Sequence, residues 1–135
     1  MDLTAVLPDL LTAARVGLDP GDAGLAVDPS GARTLAVIDR GAALAPEIVN
    51  GLAHVLRGLG VPAVLLLRSR TGRPTARDRA AWQELRALVD ERLLPDVLVV
   101  GDSGAWSLRD DGRVPESSSV PAPRPGSGRA RSTPA

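Results

Sequence analysis

Val61-Pro62-Ala63-Val64-Leu65-Leu66-Leu67 is a continuous apolar run of strand length. A strand with one wet face alternates apolar and polar residues, whereas a strand covered on both faces reads as an unbroken apolar stretch. The run therefore predicts the core strand of a sheet with helices packed on it. Immediately before it, Pro46 to Leu59 carries Ile48, Val49, Leu52, Val55, Leu56 and Leu59 at the spacing of a buried helical stripe, with Pro46 suited to the first turn and Gly60 ending the helix. Further upstream, Gly24-Leu25-Ala26-Val27 and Thr34-Leu35-Ala36-Val37-Ile38 flank Asp28-Pro29-Ser30-Gly31, in which Pro presets φ and Gly accepts a positive φ. That is hairpin chemistry between two antiparallel strands. Asp19-Pro20-Gly21-Asp22 reads as a turn, and Asp2 to Val16 as a short helix with Leu7, Leu10, Leu11 and Ala14 on one side and Pro8 in its first turn or splitting it.

Downstream of the core strand, Arg68 to Pro74 is a polar loop. Thr75 and Asp78 make a capping-box-like start to a helix carrying Ala81, Trp82, Leu85, Leu88 and Val89 on one face. Asp96 to Val100 and Ala105 to Leu108 flank Gly101-Asp102-Ser103-Gly104, a second hairpin signal, and Asp111-Gly112 ends the pattern. The order is α-β-β-α-β-α-β-β. It predicts an α/β (α+β) fold, a small mixed sheet of about five strands with two packed helices and a short N-terminal helix. With no Phe or Tyr, the core must be filled by Leu, Val, Ile and Ala, with Trp82 and Trp106 as the aromatic candidates.

A chain of 135 residues suits one domain. Residues 1–113 form that expected domain. Residues 114–135 are rich in Pro, Ser, Gly and Arg with Val114 and Val120 as their large aliphatics, so they are expected to form a disordered tail. The formal charge of zero divides between a body at −2 (13 Arg against 15 acids) and a tail at +2 (Arg124, Arg129 and Arg131 against Glu116). All 16 basic residues are arginine, a composition that GC-rich coding sequence produces, so arginine number alone carries little functional weight. No Cys and a single His exclude thiol chemistry, disulfides and any zinc site needing two such ligands. No apolar run reaches the ~18 residues that span a bilayer, and Asp2 stands where a signal peptide carries positive charge. The expectation is a cytoplasmic protein without a membrane partner. A formal charge of zero also argues against a dedicated nucleic-acid binder.

Candidate chemistry is sparse. His54 falls with Asn50, Arg57 and Gly58, opposite the apolar stripe of its helix, and should face solvent. Arg68, Arg70, Arg73, Arg77 and Arg79 crowd the loop after the core strand with one acid, Asp78, among them. Open α/β sheets place ligands at that strand edge, and guanidinium forks together with a helix N-terminus suit phosphate or carboxylate. Arg68, Arg70 and Arg73 are therefore the candidate anion-binding residues, and a solvated loop in an arginine-biased chain is the competing reading. Asp39 and Asp102 stand at strand ends, where each can serve as a base or merely cap a loop. Ser69 and Ser103 have neither a nearby His nor an elbow motif. No catalytic residue, metal ligand or cofactor is assigned. A partner is not identified beyond a protein or a small anion, and nucleic acid would have to bind weakly through the same loop and the tail.

The segment Leu65–Gly112 resembles the JAB/MPN domain of RadC-like proteins. Members carry His-x-His-Pro-Ser-Gly-Asp-Pro-x-Pro-Ser-x-x-Asp after an apolar strand, then a helix, then an ending near Val-Gly-Asp-Gly-Gly-Tyr-x-Ser-Leu-Arg-Glu-Glu-Gly. Here the ending reads Val100-Gly101-Asp102-Ser103-Gly104-Ala105-Trp106-Ser107-Leu108-Arg109-Asp110-Asp111-Gly112. Leu67-Arg68-Ser69-Arg70-Thr71-Gly72-Arg73-Pro74-Thr75 occupies the place of the metal motif, and the likeness extends over residues 24–112. In that family the His-x-His pair and the Asp hold zinc, and an upstream Glu acts on the metal-bound water. Arg68 and Arg70 stand at the histidine positions, the motif aspartate has no aligned acid, and one proline is missing. Guanidinium has no free lone pair and repels a cation. The resemblance thus implies a metal-free, catalytically inactive binding or interaction module, with an anion-handling enzyme that uses Asp39 or Asp102 as base as the alternative. A second likeness, carried by Leu7-Pro8-Asp9-Leu10-Leu11 and Gly17-Leu18-Asp19-Pro20-Gly21-Asp22 and covering residues 5–108, is to an uncharacterised bacterial α/β family known only as a domain of unknown function. That family also lacks the metal motif.

Overall fold

The computed structural model describes residues 5–28, 34–39 and 46–115; for 34–39, 46 and 47 it describes the backbone alone. The elements are α1 (Leu7–Gly17), β1 (Ala23–Val27), β2 (Thr34–Asp39), α2 (Pro46–Leu59), β3 (Ala63–Arg68), α3 (Ala76–Leu88), β4 (Val97–Val100), β5 (Ala105–Ser107) and β6 (Gly112–Arg113). This is the expected order with one strand added. The two-residue β6 lies where Asp111-Gly112 was expected to end the fold, because the turn after β5 brings the chain back to pair with it.

The sheet order is β2-β1-β3-β4-β5-β6. β1 runs antiparallel to both β2 and β3, β3 is parallel to β4, and the last two pairings are antiparallel. Consequently β2, β3 and β4 share a direction. The β2-to-β3 and β3-to-β4 crossovers step the same way across the sheet, and crossovers of one hand place their helices on one face. α2 and α3 accordingly share a cluster in which Val49, Leu52, Ala53 and Leu56 meet Ala81, Trp82 and Leu85. α1 covers the opposite face through Leu10, Leu11 and Ala14.

The core strand feeds both layers. Ala63, Leu65 and Leu67 enter the α2/α3 cluster, and Val64 and Leu66 enter the α1 cluster. β4 divides in the same way, Val97 and Val99 against Leu98 and Val100. This two-sided burial is the reason neither strand alternates in polarity. Fully burying one such side chain contributes roughly 1.5–3 kcal/mol.

Local chemistry sets the element ends. Pro8 lies in the first turn of α1 without splitting it. In the 19–22 turn Asp22 N donates to Asp19 O at 2.9 Å and Gly21 takes φ 96°, the positive value that glycine adopts without a Cβ penalty. The Thr75 capping box is complete: Thr75 Oγ1 accepts from Asp78 N at 3.1 Å, and Asp78 Oδ2 accepts from Thr75 N at 2.9 Å. Two apolar stripes are narrower than their spacing suggests, since Val55 and Leu59 of α2 and Leu88 of α3 are exposed. Trp82 is buried under Arg86, whose guanidinium lies 5.5 Å from the ring centroid, and Trp106 is half-buried. Val114, placed with the tail by composition, is buried in the α1 cluster. The rest of the expected tail, from Glu116 onward, and the Pro29–Arg33 turn lie outside the described residues.

Asp96 organises the sheet end farthest from the β3 carboxyl edge. It is 3% exposed, and its carboxylate accepts from Val97 N (2.7 Å), Arg109 N (3.0 Å) and Ser107 Oγ (2.6 Å). Ser107 Oγ in turn accepts from Asp110 N at 3.1 Å, so one carboxylate ties β4 to the turn after β5. Burial raises the Asp96 pKa, and the hydrogen bonds from Ser107, Arg109 and Val97 oppose that rise without cancelling it. The folded state therefore keeps a proton that the unfolded chain loses earlier. This contribution to stability is fully present below the unfolded pKa and is lost as pH rises through the folded one. Asp96→Ala, which strands these donors, should cost roughly 2–4 kcal/mol in urea unfolding. Asp96→Asn removes the titration, so its stability relative to wild type should improve from about pH 3.5 to about pH 7; an unchanged difference across that window would refute the assignment.

Candidate functional site

Because β2, β3 and β4 share a direction, their carboxyl ends lie along one edge of the sheet. The loop entering β1, the hairpin after β4 and the N-terminus of α3 gather at the same edge. Gly21 N donates to Arg68 O (2.8 Å), Arg68 N to Asp22 O (2.9 Å), Ser69 N to Val100 O (2.9 Å) and Asp102 N to Arg70 O (3.3 Å). The backbone of residues 68–70 is thus held from both sides.

Arg68 ends β3 at 9% exposure. Its Nη1 donates to Ser69 O (2.6 Å) and Val100 O (3.2 Å), and its Nη2 pairs with Asp102 Oδ1 at 2.7 Å. Asp102 is itself largely exposed, so solvent screens the pair, and the guanidinium acts chiefly as a clamp between β3 and the β4–β5 hairpin. The Nε–H of Arg68 is buried without an acceptor among the described residues. An unsatisfied buried donor costs about 1–3 kcal/mol.

A cavity of about 390 Å³ opens beside this clamp. Asp22, Arg68, Ser69, Arg70, Thr71, Thr75 and Asp78 line it together with Pro20, Gly21 and the buried Ala23, Leu67 and Val99. Small-molecule sites typically occupy ~300–1,000 Å³, so this one suits a ligand of a few heavy atoms. Arg70 is exposed, and its guanidinium has no carboxylate partner among the described residues. The structure therefore brings Arg68 and Arg70 to one cavity. Arg73 instead lines a separate niche of about 20 Å³ with Trp106 and Arg113, room for one water. Arg79 pairs with Asp111 at 2.6 Å, which lowers the Asp111 pKa, and Arg77 is exposed.

The remaining sequence candidates scatter. Asp39 is the last residue of β2, opposite Ala23 in register and so at the cavity edge; its side chain lies outside the described residues. Asp102 is engaged by Arg68, and Ser69 Oγ accepts from Gly72 N at 2.9 Å. Ser103 and His54 are exposed. Asp22 is the site residue that sequence reading left in a turn. It is 5% exposed, and its Oδ2 accepts from Asp19 N at 2.9 Å. The one sequence signal available for it is a short acid placed directly before a buried strand. Among the described residues no three His, Asp or Glu side chains converge as a metal ligand set, and no helix is long and apolar enough to cross a membrane.

Gly101 and Gly104 close the β4–β5 hairpin, Gly101 N donating to Gly104 O at 2.7 Å. Their second role is contact with the arginine loop. A Cβ on Gly101 would come within 2.6 Å of Gly72 Cα, and one on Gly72 within 2.9 Å of Gly101 N, with Gly72 also at φ 72°. Backbone lies on backbone here, so neither side can give way. No protein-family model matches the chain, and no curated protein shows significant similarity to it. Gly101→Ala is expected to destabilise by about 2 kcal/mol or more through this clash. Gly51→Ala, with nothing within 4 Å of the added Cβ inside α2, should be neutral or stabilising. Equal midpoints for the two variants in thermal unfolding would overturn the contact.

Proposed function

We propose that this chain is a metal-free, catalytically inactive binding module of the JAB/MPN type, whose former metal pocket receives a small anion. The observation that carries the reading is the convergence of Arg68 and Arg70, at the two motif histidine positions, on the one cavity at the carboxyl edge of β3. The arrangement supports the likeness in a second way. The loop from Arg68 to Asp78 is three residues shorter than the family motif, and with that gap Pro74-Thr75-x-x-Asp78 repeats its Pro-Ser-x-x-Asp ending. Asp78 then stands at the aspartate position, caps α3 and lines the same cavity. Two guanidiniums and one carboxylate replace two imidazoles and one carboxylate, and that exchange turns a cation site into an anion site.

The two arginines divide the work. Arg68 holds the hairpin, and Arg70 offers its fork to the ligand. Asp102 is committed to Arg68, which argues against its acting as a general base.

Purified protein should carry no stoichiometric zinc and show no isopeptidase turnover; either finding would sink the proposal. Small carboxylates or phosphates at ~100 times Kd should stabilise the fold by about 2.7 kcal/mol. Arg70→Ala, an exposed position, should abolish that stabilisation while leaving the ligand-free melting temperature within about 2 °C of wild type. A thermal-shift screen that is flat for every anion would also overturn it.

A further inference from the structure

Beyond the cavity, the small niche between the arginine loop and the last hairpin combines charge with a partly exposed indole, that of Trp106. Trp106 of β5 lies opposite Arg113 of β6 in register, and Val114 N donates to Ala105 O at 2.9 Å. That bond makes Trp106 and Arg113 a non-hydrogen-bonded pair, in which the two side chains leave the same face of the sheet and lie closest together. Trp106 packs against the α2/α3 cluster, and its Nε1 donates at 3.4 Å to Asp111 Oδ1, a carboxylate already paired with Arg79. Arg113 folds back over Gly104, where a Cβ would fall 2.6 Å from its Nη2. Arg73 completes the niche from the loop whose backbone rests on Gly101, and its N donates to Thr71 Oγ1 at 3.2 Å. Arg73 and Arg113 are both exposed, and neither guanidinium has a carboxylate partner among the described residues.

We infer that this surface binds single-stranded nucleic acid, with a base against Trp106 and the flanking phosphates on Arg73 and Arg113. The niche is separate from the cavity, so the inference does not rest on the anion reading. A nucleotide joins a flat base to a phosphate through one sugar, so a half-buried indole beside two guanidiniums meets both parts within a short length of strand. An acidic peptide would have to supply the ring and the charge from separate side chains. At about 20 Å³ the niche takes one phosphate oxygen or one water, and the strand lies across its mouth. The formal charge of zero is a sum over the whole chain. Asp110 and Asp111, in the turn before β6, are each paired with an arginine, which leaves Arg73 and Arg113 in local excess. Two phosphate contacts make the site weak and salt-sensitive.

The test is fluorescence anisotropy of the full chain with a labelled oligothymidylate of about twelve residues, an abasic strand of the same length and polyglutamate, over a series of salt concentrations. The oligothymidylate should bind at least about fivefold more tightly than the abasic strand, the lower end of what stacking one base contributes, and should quench tryptophan fluorescence. Trp106→Leu, with folding checked by circular dichroism, should remove both the preference and the quench. Arg73→Ala combined with Arg113→Ala, at two exposed positions, should weaken both strands and lower the slope of log K against log salt by about 1.4. Arg92→Ala, before β4 at the other end of the sheet, should change neither. An abasic strand or polyglutamate that binds as well as the oligothymidylate, binding that survives the loss of both arginines, an equal loss in Arg92→Ala, or no binding at all would overturn the inference.

Discussion

β3 is buried on both faces, and the rest of the molecule is arranged around that constraint. A strand whose side chains all require apolar cover needs a layer on each side and a paired neighbour on each edge. α2 and α3 supply one layer, α1 the other, and β1 and β4 supply the neighbours. The parallel pairing with β4 demands a crossover, and the hand of that crossover sets the side on which α3 lies. Where β3 ends, burial must end as well. Arg68, its last residue, is the point at which an apolar interior passes into a polar edge, and its guanidinium satisfies two backbone carbonyls and one carboxylate there.

That transition is also why the cavity forms at this edge. Buried Ala23 and Leu67 adjoin Asp22 and Arg68 in sequence, and Arg70 follows two residues after Arg68. Gly72 and Gly101 let two backbones approach, which holds the arginine loop against the hairpin and so positions Arg70. At the opposite end of the sheet Asp96 binds the end of β4 to the turn after β5. The two ends of β4 are thereby fixed by different chemistry, a buried carboxylate at one and a backbone contact at the other.

Much of this architecture was legible from local pattern. The Pro46–Leu59 helix, the Thr75 capping box and the Gly101–Gly104 hairpin all follow from spacing and turn chemistry, because each depends on residues within a few positions of one another. The misses have the opposite origin. β6 is too short to carry a periodic signal and exists because the turn after β5 returns the chain to it. Val55, Leu59 and Leu88 satisfy helical spacing but lie exposed, since spacing indicates which residues share a face and not how far a neighbouring layer extends. Asp22 reads as a turn residue because its burial depends on β3 lying alongside.

By itself, then, the sequence determined the element order from α1 to β5, the two-sided burial of β3 and the concentration of arginine just beyond it. Only the tertiary structure decided what those arginines do. Arg68 meets a carboxylate 34 residues away, Arg70 meets none among the described residues, and Arg73 is turned to a separate niche. The physical reason is that secondary structure is encoded in short-range periodicity. The role of a charge is set by which distant groups share its few ångströms, and that depends on strand register and crossover hand, which no local pattern contains.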